Sequence, residues 1–259
     1  MDVIFSIAKK EIMDNFRNAW IIFLSVIFAV LAIVISYFGS QGFSQDWSPL
    51  ESTISTLEGI VILIIPIIGL MLGYASIVGE IEKGSMSSLI SLPVNSLEII
   101  IGKFLGLGSV ISSTIFIGLG ISGLIIAINA PGSDYITYIS FIGISILLGL
   151  VFLSIAMFFS TLFKKRSTAM AGAIFIWFFF AIIWQIILGA LLFAIYIAGG
   201  AEESIPGWFY PTFLANPLMI FIASGFPEAP SIYWRLLSPI LWIIIPLFLA
   251  YWIFKKRDV

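Results

Sequence analysis

Long apolar runs alternate along this chain with short clusters of basic residues. Of the twelve Lys and Arg residues, all but Arg235 fall in four clusters: Lys9/Lys10/Arg17, Lys83/Lys103, Lys164/Lys165/Arg166 and Lys255/Lys256/Arg257. Charged side chains are costly in hydrocarbon, and short cytoplasmic loops carry an excess of Lys and Arg. If every cluster is cytoplasmic, each gap between clusters must hold an even number of membrane crossings, and the apolar runs supply two. The pattern therefore predicts an all-α polytopic membrane protein with six transmembrane helices and both termini in the cytoplasm.

The apolar runs have the length that a bilayer requires. A helix needs about 20 predominantly apolar residues to cross roughly 30 Å of hydrocarbon. Pro66 interrupts the second run, so we expect a kink there, where neighbouring helices satisfy the freed carbonyl. A polar outer loop is expected to continue through residue 56. The predicted spans are residues 19–39, 57–79, 104–128, 135–162, 169–198 and 236–254.

The segments between these spans define the rest of the organisation. Residues 1–18 alternate apolar and charged positions at helical spacing, which is typical of a helix lying in the membrane interface. Residues 80–103 form the longest cytoplasmic loop. Residues 199–231 are divided by prolines into apolar pieces too short to span, and these predict interfacial or re-entrant helices on the outer face. We expect residues 1–259 to form a single transmembrane domain.

The composition narrows the possible functions. The chain is 61% hydrophobic and 10% charged, which excludes an ordinary soluble domain. It contains no Cys and no His, so thiolate and imidazole metal sites and the corresponding nucleophiles are excluded. No catalytic constellation is visible, and we expect neither enzymatic activity nor a metal or cofactor in this chain.

Ionisable groups are missing from the middle of every predicted span. Pumps and proton-coupled carriers place Asp, Glu, Lys or Arg at that depth, because those groups do the work of transport. A transporter driven by its own proton relay is therefore disfavoured. If this protein moves a substrate, we expect the energy to come from a partner.

The cytoplasmic loop after the second span begins with an acidic pair. Glu80 and Glu82 are two residues apart and cannot share a helical face. They suit a frayed helix end that presents carboxylates to another protein, followed by Lys83, a turn at Gly84 and a short apolar patch that Pro93 ends. The alternative is an ordinary helix terminus whose carboxylates stay hydrated.

Two pairs of glycines four residues apart predict close helix packing. Gly69 and Gly73 lie in the second span, and Gly102 and Gly106 lie at the start of the third. Small residues at this spacing let helix backbones approach each other. Packing within one subunit is the interpretation we favour over packing between subunits.

Several of these motifs also carry a family resemblance. They are Ala8-Lys9-Lys10-Glu11, Arg17-Asn18-Ala19-Trp20, Gly79 to Gly84, Leu92-Pro93-Val94 with Ser96, and Gly102 to Gly106. Through them the whole chain resembles the permease subunits of the ABC-2 class of ATP-binding-cassette transporters. The first span, with Phe28-Ala29 and Phe38-Gly39, is most similar to the permeases that serve nitrous-oxide-reductase maturation.

The resemblance implies a set of partners and a role for the acidic loop. It implies a homodimer in the membrane lipid, bound to two copies of a separate ATPase subunit that holds ATP and magnesium, with no nucleic acid. Glu80, Glu82, Lys83, Gly84 and Pro93 would then belong to the region that couples to the ATPase. A periplasmic or outer-face maturation protein would receive material for the copper–sulfur centre of the reductase. Since this chain lacks Cys and His, moving a sulfur species or transmitting motion fits its residues better than carrying copper.

Two other functions remain open at this point. One is a general ABC-2 exporter of a lipid, drug or other hydrophobic solute. The other is a membrane scaffold that transports nothing and only anchors partners. Dependence on an ATPase separates the scaffold from both transport hypotheses.

Overall fold

A computed structural model describes residues 2–41, 49–84, 94–129, 135–199, 216–220 and 232–256. Within these ranges the regular structure is entirely helical. A π-helical segment covers Phe179–Ile183, and a 3-10 turn covers Pro217–Ile220. The helices are α1 (Asp2–Asn15), α2 (Ala19–Gly39), α3 (Pro49–Gly73), α4 (Val78–Glu82), α5 (Ser96–Asn129), α6 (Tyr135–Leu162), α7 (Arg166–Phe178), α8 (Trp184–Gly199) and α9 (Ile232–Lys256).

Among the residues that the structure describes, six helical stretches are long and apolar enough to cross a membrane. The prediction of an all-α protein with six transmembrane helices is therefore confirmed. The stretches are Ala19–Gly39, Leu50–Glu82, Ser96–Asn129, Tyr135–Leu162, Arg166–Ile195 and Leu237–Lys256.

The second span differs from its prediction at both ends. Residues 49–56 were expected in an outer loop, which is wrong, because α3 begins at Pro49. Proline favours the first turn of a helix, where its missing N–H is not needed. At the inner end the α-helix stops at Gly73 and resumes at Val78, although the prediction extended one helix to residue 79.

The break between α3 and α4 is held by serine side chains. Ser76 donates its hydroxyl to the carbonyl of Gly73 at 2.7 Å. The hydroxyl oxygen of Ser160, on α6, accepts hydrogen bonds from the backbone amides of Ile77 at 2.9 Å and Val78 at 3.0 Å. The first amides of α4 are thus satisfied by another span, which anchors this short helix to α6.

The third span begins earlier than predicted. Helix α5 starts at Ser96 rather than at residue 104. The Glu98 carboxylate accepts a hydrogen bond from the backbone amide of Asn95 at 2.9 Å, as acidic residues do in the first turn of a helix. At ~1.5 Å per residue, α5 is about 50 Å long and extends beyond the hydrocarbon. Lys103, expected in a loop, consequently lies within this helix.

Helix α6 forms the centre of the bundle and contacts α3, α5 and α9. Its residues from Val151 to Met157 are all buried. Ser154 donates a hydrogen bond at 2.8 Å to the carbonyl of Trp242 on α9. Because Pro246 lies four residues after Trp242 and has no N–H, the serine hydroxyl supplies a donor that residue 246 cannot.

The fifth span is one long helical stretch with a wide turn in its middle. It begins at Arg166, within the basic cluster and three residues before the predicted start at residue 169, and its π-helical segment frees backbone groups from the regular pattern. Buried Asn216 donates to the carbonyl of Phe180 in that segment at 2.9 Å. Residues 216–220 thus contact the fifth span, whereas the rest of the predicted outer segment 199–231 beyond Gly199 lies outside the described residues.

Candidate functional site

Helix α4 is the structural centre of the candidate site. It is only five residues long and is followed by a turn at Lys83 and Gly84. Gly84 has a φ angle of 72°, a left-handed conformation that glycine adopts without strain. Glu82, Lys83 and Gly84 are exposed, whereas Val78 and Gly79 are buried. The N-terminal end of α4 is therefore fixed in the bundle, and its C-terminal end is exposed at the surface.

Glu80 connects α4 to two other helices. Its Oε1 atom lies 2.9 Å from the ammonium group of Lys103 on α5 and 2.7 Å from that of Lys10 on α1. Lys103 also lies 2.5 Å from the Glu11 carboxylate on α1. Four charged groups from three helices thus form one cluster, which we call the ionic cluster: Lys10, Glu11, Glu80 and Lys103.

The two lysines of the ionic cluster differ in exposure. The Lys103 side chain is 1% exposed, whereas that of Lys10 is 49% exposed. Burial alone would lower the pKa of Lys10, but its hydrogen bond and charge attraction to Glu80 outweigh this and raise the pKa above its usual value. Lys10 therefore stays charged at neutral pH.

Close packing of α1 on α5 explains why Lys103 is buried. A Cβ added at Gly102 would lie 2.9 Å from the Ile7 side chain, and one at Gly106 would lie 2.6 Å from the carbonyl of Ala8. These glycines let the backbone of α1 approach α5 directly. Lys103 follows Gly102 on α5 and lies beside this close contact.

Gly69 and Gly73 lie at a second close contact, between α3 and α6. A Cβ at Gly69 would lie 2.9 Å from the carbonyl of Gly149, and one at Gly73 would lie 2.6 Å from the Ala156 side chain. Both glycine pairs therefore face helices of the same chain. They hold the second and third spans, which flank the acidic loop, in place.

Glu82 points to the other side of α4. Its carboxylate accepts a hydrogen bond at 2.8 Å from the backbone amide of Arg166, the first residue of α7. Negative groups are favourable at a helix N-terminus, where amides have no intrahelical partner. Glu80 and Glu82 thus reach different helices, as their two-residue spacing requires.

A polar cleft of about 300 Å³ opens beside α4. Asp14, Asn15 and Asn18 line it from the α1 side, and Lys83 and Arg166 line it from the other. Both signs of charge are present, so the cleft suits contact with a polar protein surface. Among the residues that the structure describes, no group of three or more Asp and Glu side chains could hold a metal ion.

The sequence found only part of this site. It singled out Glu80, Glu82, Lys83 and Gly84, and these four residues lie together at α4. Pro93 lies outside the described residues. Sequence reasoning did not assign four further residues to the site: Lys10, Glu11, Lys103 and Arg166. The first three lie in motifs that carry the family resemblance and Arg166 lies in a basic cluster, but neither signal indicated a contact with α4.

Comparisons with known proteins agree along the whole length. A family model described as ABC-2 family transporter protein matches residues 5–259. A protein of Pseudomonas aeruginosa described as "Probable ABC transporter permease protein NosY" is 30% identical over 282 residues, covering 100% of both chains. A protein of Stutzerimonas stutzeri with the same description is 30% identical over 281 residues, covering 99% of each.

Proposed function

This chain belongs to the ABC-2 family of transporter proteins, and we propose that α4 couples ATP hydrolysis in a separate ATPase subunit to movement of the membrane spans. The supporting observation is the position of α4. The C-terminal end of α4 is exposed. Glu80 joins the helix to α1 and α5, and Glu82 joins it to α7. A push on this short helix therefore reaches the first helix, the third span and the fifth span together.

The remaining partners follow from the permease class. We propose a homodimer of this chain in the cell membrane, bound to two ATPase subunits that carry the ATP and magnesium. Both termini lie in the cytoplasm in this arrangement, because the basic clusters flank the inner ends of the spans. The full-length similarity to permease proteins supports this assembly.

The proposed pathway is the maturation of the copper–sulfur centre of nitrous-oxide reductase. Two relatives named NosY, similar to this chain over nearly its whole length, support this assignment. The chain has no Cys or His, so it offers copper no thiolate or imidazole ligands, and its seven Met residues are dispersed along the sequence. A sulfur species, or motion transmitted to an outer-face protein, is therefore the proposed output.

The coupling role is tested by reversing both acidic charges of α4. The Glu80→Lys/Glu82→Lys double variant places positive charges beside Lys103 and the α7 N-terminus, so both connections are replaced by repulsion. We expect the variant to insert into the membrane but to lose ATP-dependent maturation of a co-expressed reductase. The assay is the copper–sulfur absorbance of the purified reductase, alongside the amount of ATPase that co-purifies with the permease.

A single Glu51→Lys variant is the control, since this residue is an exposed carboxylate at the opposite end of the second span from α4. It should retain maturation. Normal maturation in the α4 double variant would refute the coupling role. Normal maturation without any ATPase would refute the transporter assignment in favour of a scaffold.

A further inference from the structure

Three helices meet at one buried ammonium group. Lys103 on α5 is 1% exposed, and its Nζ atom contacts Glu11 on α1 and Glu80 on α4. Those two carboxylates belong to residues that are far apart in the sequence and sit on helices with no direct covalent link. Lys103 is therefore the buried connection between these two carboxylates.

The chemistry of burial makes this connection strong. Removing a charge from water costs several kcal/mol, and only close opposite charges and hydrogen bonds compensate for it. Lys103 is compensated only while both carboxylates stay within hydrogen-bond distance. A movement of α4 away from α1 would expose or unpair the lysine, so the cluster resists separation of the two helices.

Lys10 reaches the same Glu80 oxygen from the surface, and its contact is expected to matter less. An exposed ion pair typically contributes little to stability, since water competes for both groups. The two lysines therefore offer a matched comparison. They share one carboxylate oxygen as a partner and differ in exposure, 1% against 49%.

We propose that Lys103 is a positioning residue of the coupling site, an inference that rests on the proposed function. It holds Glu80 against Glu11, so that α4 and the N-terminal helix α1 move as one unit with α5 when the ATPase acts. Without it, α4 would still meet the ATPase but would move independently of α1. The N-terminal helix is thereby assigned an active part in coupling in addition to anchoring the first span.

The test measures the separation of α1 and α4 directly. Because the chain contains no Cys, spin labels can be attached at Phe5→Cys on α1 and Lys83→Cys after α4 without other substitutions. The complex with its ATPase is placed in nanodiscs, with labelled chains diluted in unlabelled ones. Distance distributions are recorded by double electron–electron resonance with and without ATP.

The expected results distinguish the two lysines. Lys103→Met should broaden the distribution and shift it to longer distances, whereas Lys10→Met should leave it narrow. Lys103→Arg, which keeps the charge, should restore the narrow distribution. A Lys103→Met distribution as narrow as that of the unsubstituted chain, with and without ATP, would overturn the proposal.

A second variant covers the case in which Lys103→Met does not insert. Glu80→Gln removes the negative charge that α4 contributes to the ionic cluster but leaves Lys103 paired with Glu11. It should also broaden the distribution, and an unchanged width would overturn the proposal. Glu82→Gln, which affects the α7 contact instead, should leave the α1–α4 distance unchanged.

The proposed function fails in a different way. If no ATPase co-purifies with the unsubstituted permease, the coupling role itself is refuted, whatever the label distances show. If the ATPase co-purifies equally with every variant and only the distances respond to Lys103, the positioning role is supported separately from docking. The two readouts therefore separate the two hypotheses.

Discussion

A methyl group added at Gly69 should weaken the contact between α3 and α6. Its Cβ would lie 2.9 Å from the carbonyl of Gly149 and 3.1 Å from the backbone amide of Leu153. Both are backbone atoms of a central helix, so neither can move away as a flexible side chain would. The two helices must separate, and the contacts around Gly69 must loosen.

Gly59 provides the matched control on the same helix. A Cβ there would meet nothing within 4 Å. Both substitutions gain helix propensity, by up to ~1 kcal/mol for Gly to Ala. Overpacking typically costs ~1–3 kcal/mol, and only Gly69→Ala incurs it. The gain in helix propensity is common to both variants and cancels when they are compared. Their unfolding free energies should therefore differ by about 1–3 kcal/mol.

The assay is reversible unfolding by SDS in mixed micelles, followed by circular dichroism. Gly59→Ala should be as stable as the unsubstituted protein or slightly more stable, and Gly69→Ala should be less stable. The two sites are about 15 Å apart along the helix, so the double variant should show additive effects. Equal stabilities of the two single variants would refute the close backbone contact between α3 and α6.

Two further predictions concern polar contacts at the middle of the bundle. Ser154→Ala should lower the unfolding free energy by about 0.6 kcal/mol in the same SDS titration, because the carbonyl of Trp242 loses its donor. In a Pro246→Ala background the serine should matter less, since residue 246 then donates to Trp242 itself, and an unchanged effect would contradict this. Asn216→Leu should cost about 1–3 kcal/mol by leaving the Phe180 carbonyl unpaired. Faster amide exchange in the π-helical segment, measured by mass spectrometry, should accompany it, and unaltered exchange would refute the contact.

The spans were largely predictable because membrane insertion is decided locally. The fourth span, Tyr135–Leu162, has the predicted bounds, since the sequence before it is polar and the sequence after it is basic. The start of α3 was not predictable in this way. Residues 49–56 include serine, threonine and glutamate, which resemble a loop by composition, yet a helix that extends past the hydrocarbon can carry polar side chains without penalty.

The position of Lys103 shows what a single sequence leaves open. A lysine near an apolar run is expected in a loop, because the cost of burying it is judged for the isolated side chain. Its partners Glu11 and Glu80 come from other helices, and the pairing that offsets this cost is tertiary. The Gly102/Gly106 pair predicted a close approach of some helix but carried no information on which one.

The spacing of the acidic pair links these observations to coupling. At 3.6 residues per turn, Glu80 and Glu82 lie about 200° apart around α4. One carboxylate therefore faces α1 and α5 while the other faces the start of α7. Acids four residues apart would both face one side and would leave the fifth span unconnected. A five-residue helix thus contacts two groups of spans at once, and the π-helical segment Phe179–Ile183 lies further along the second of them. In the proposed coupling role, the two-residue spacing that excludes a shared face is what would let one short element act on both groups together.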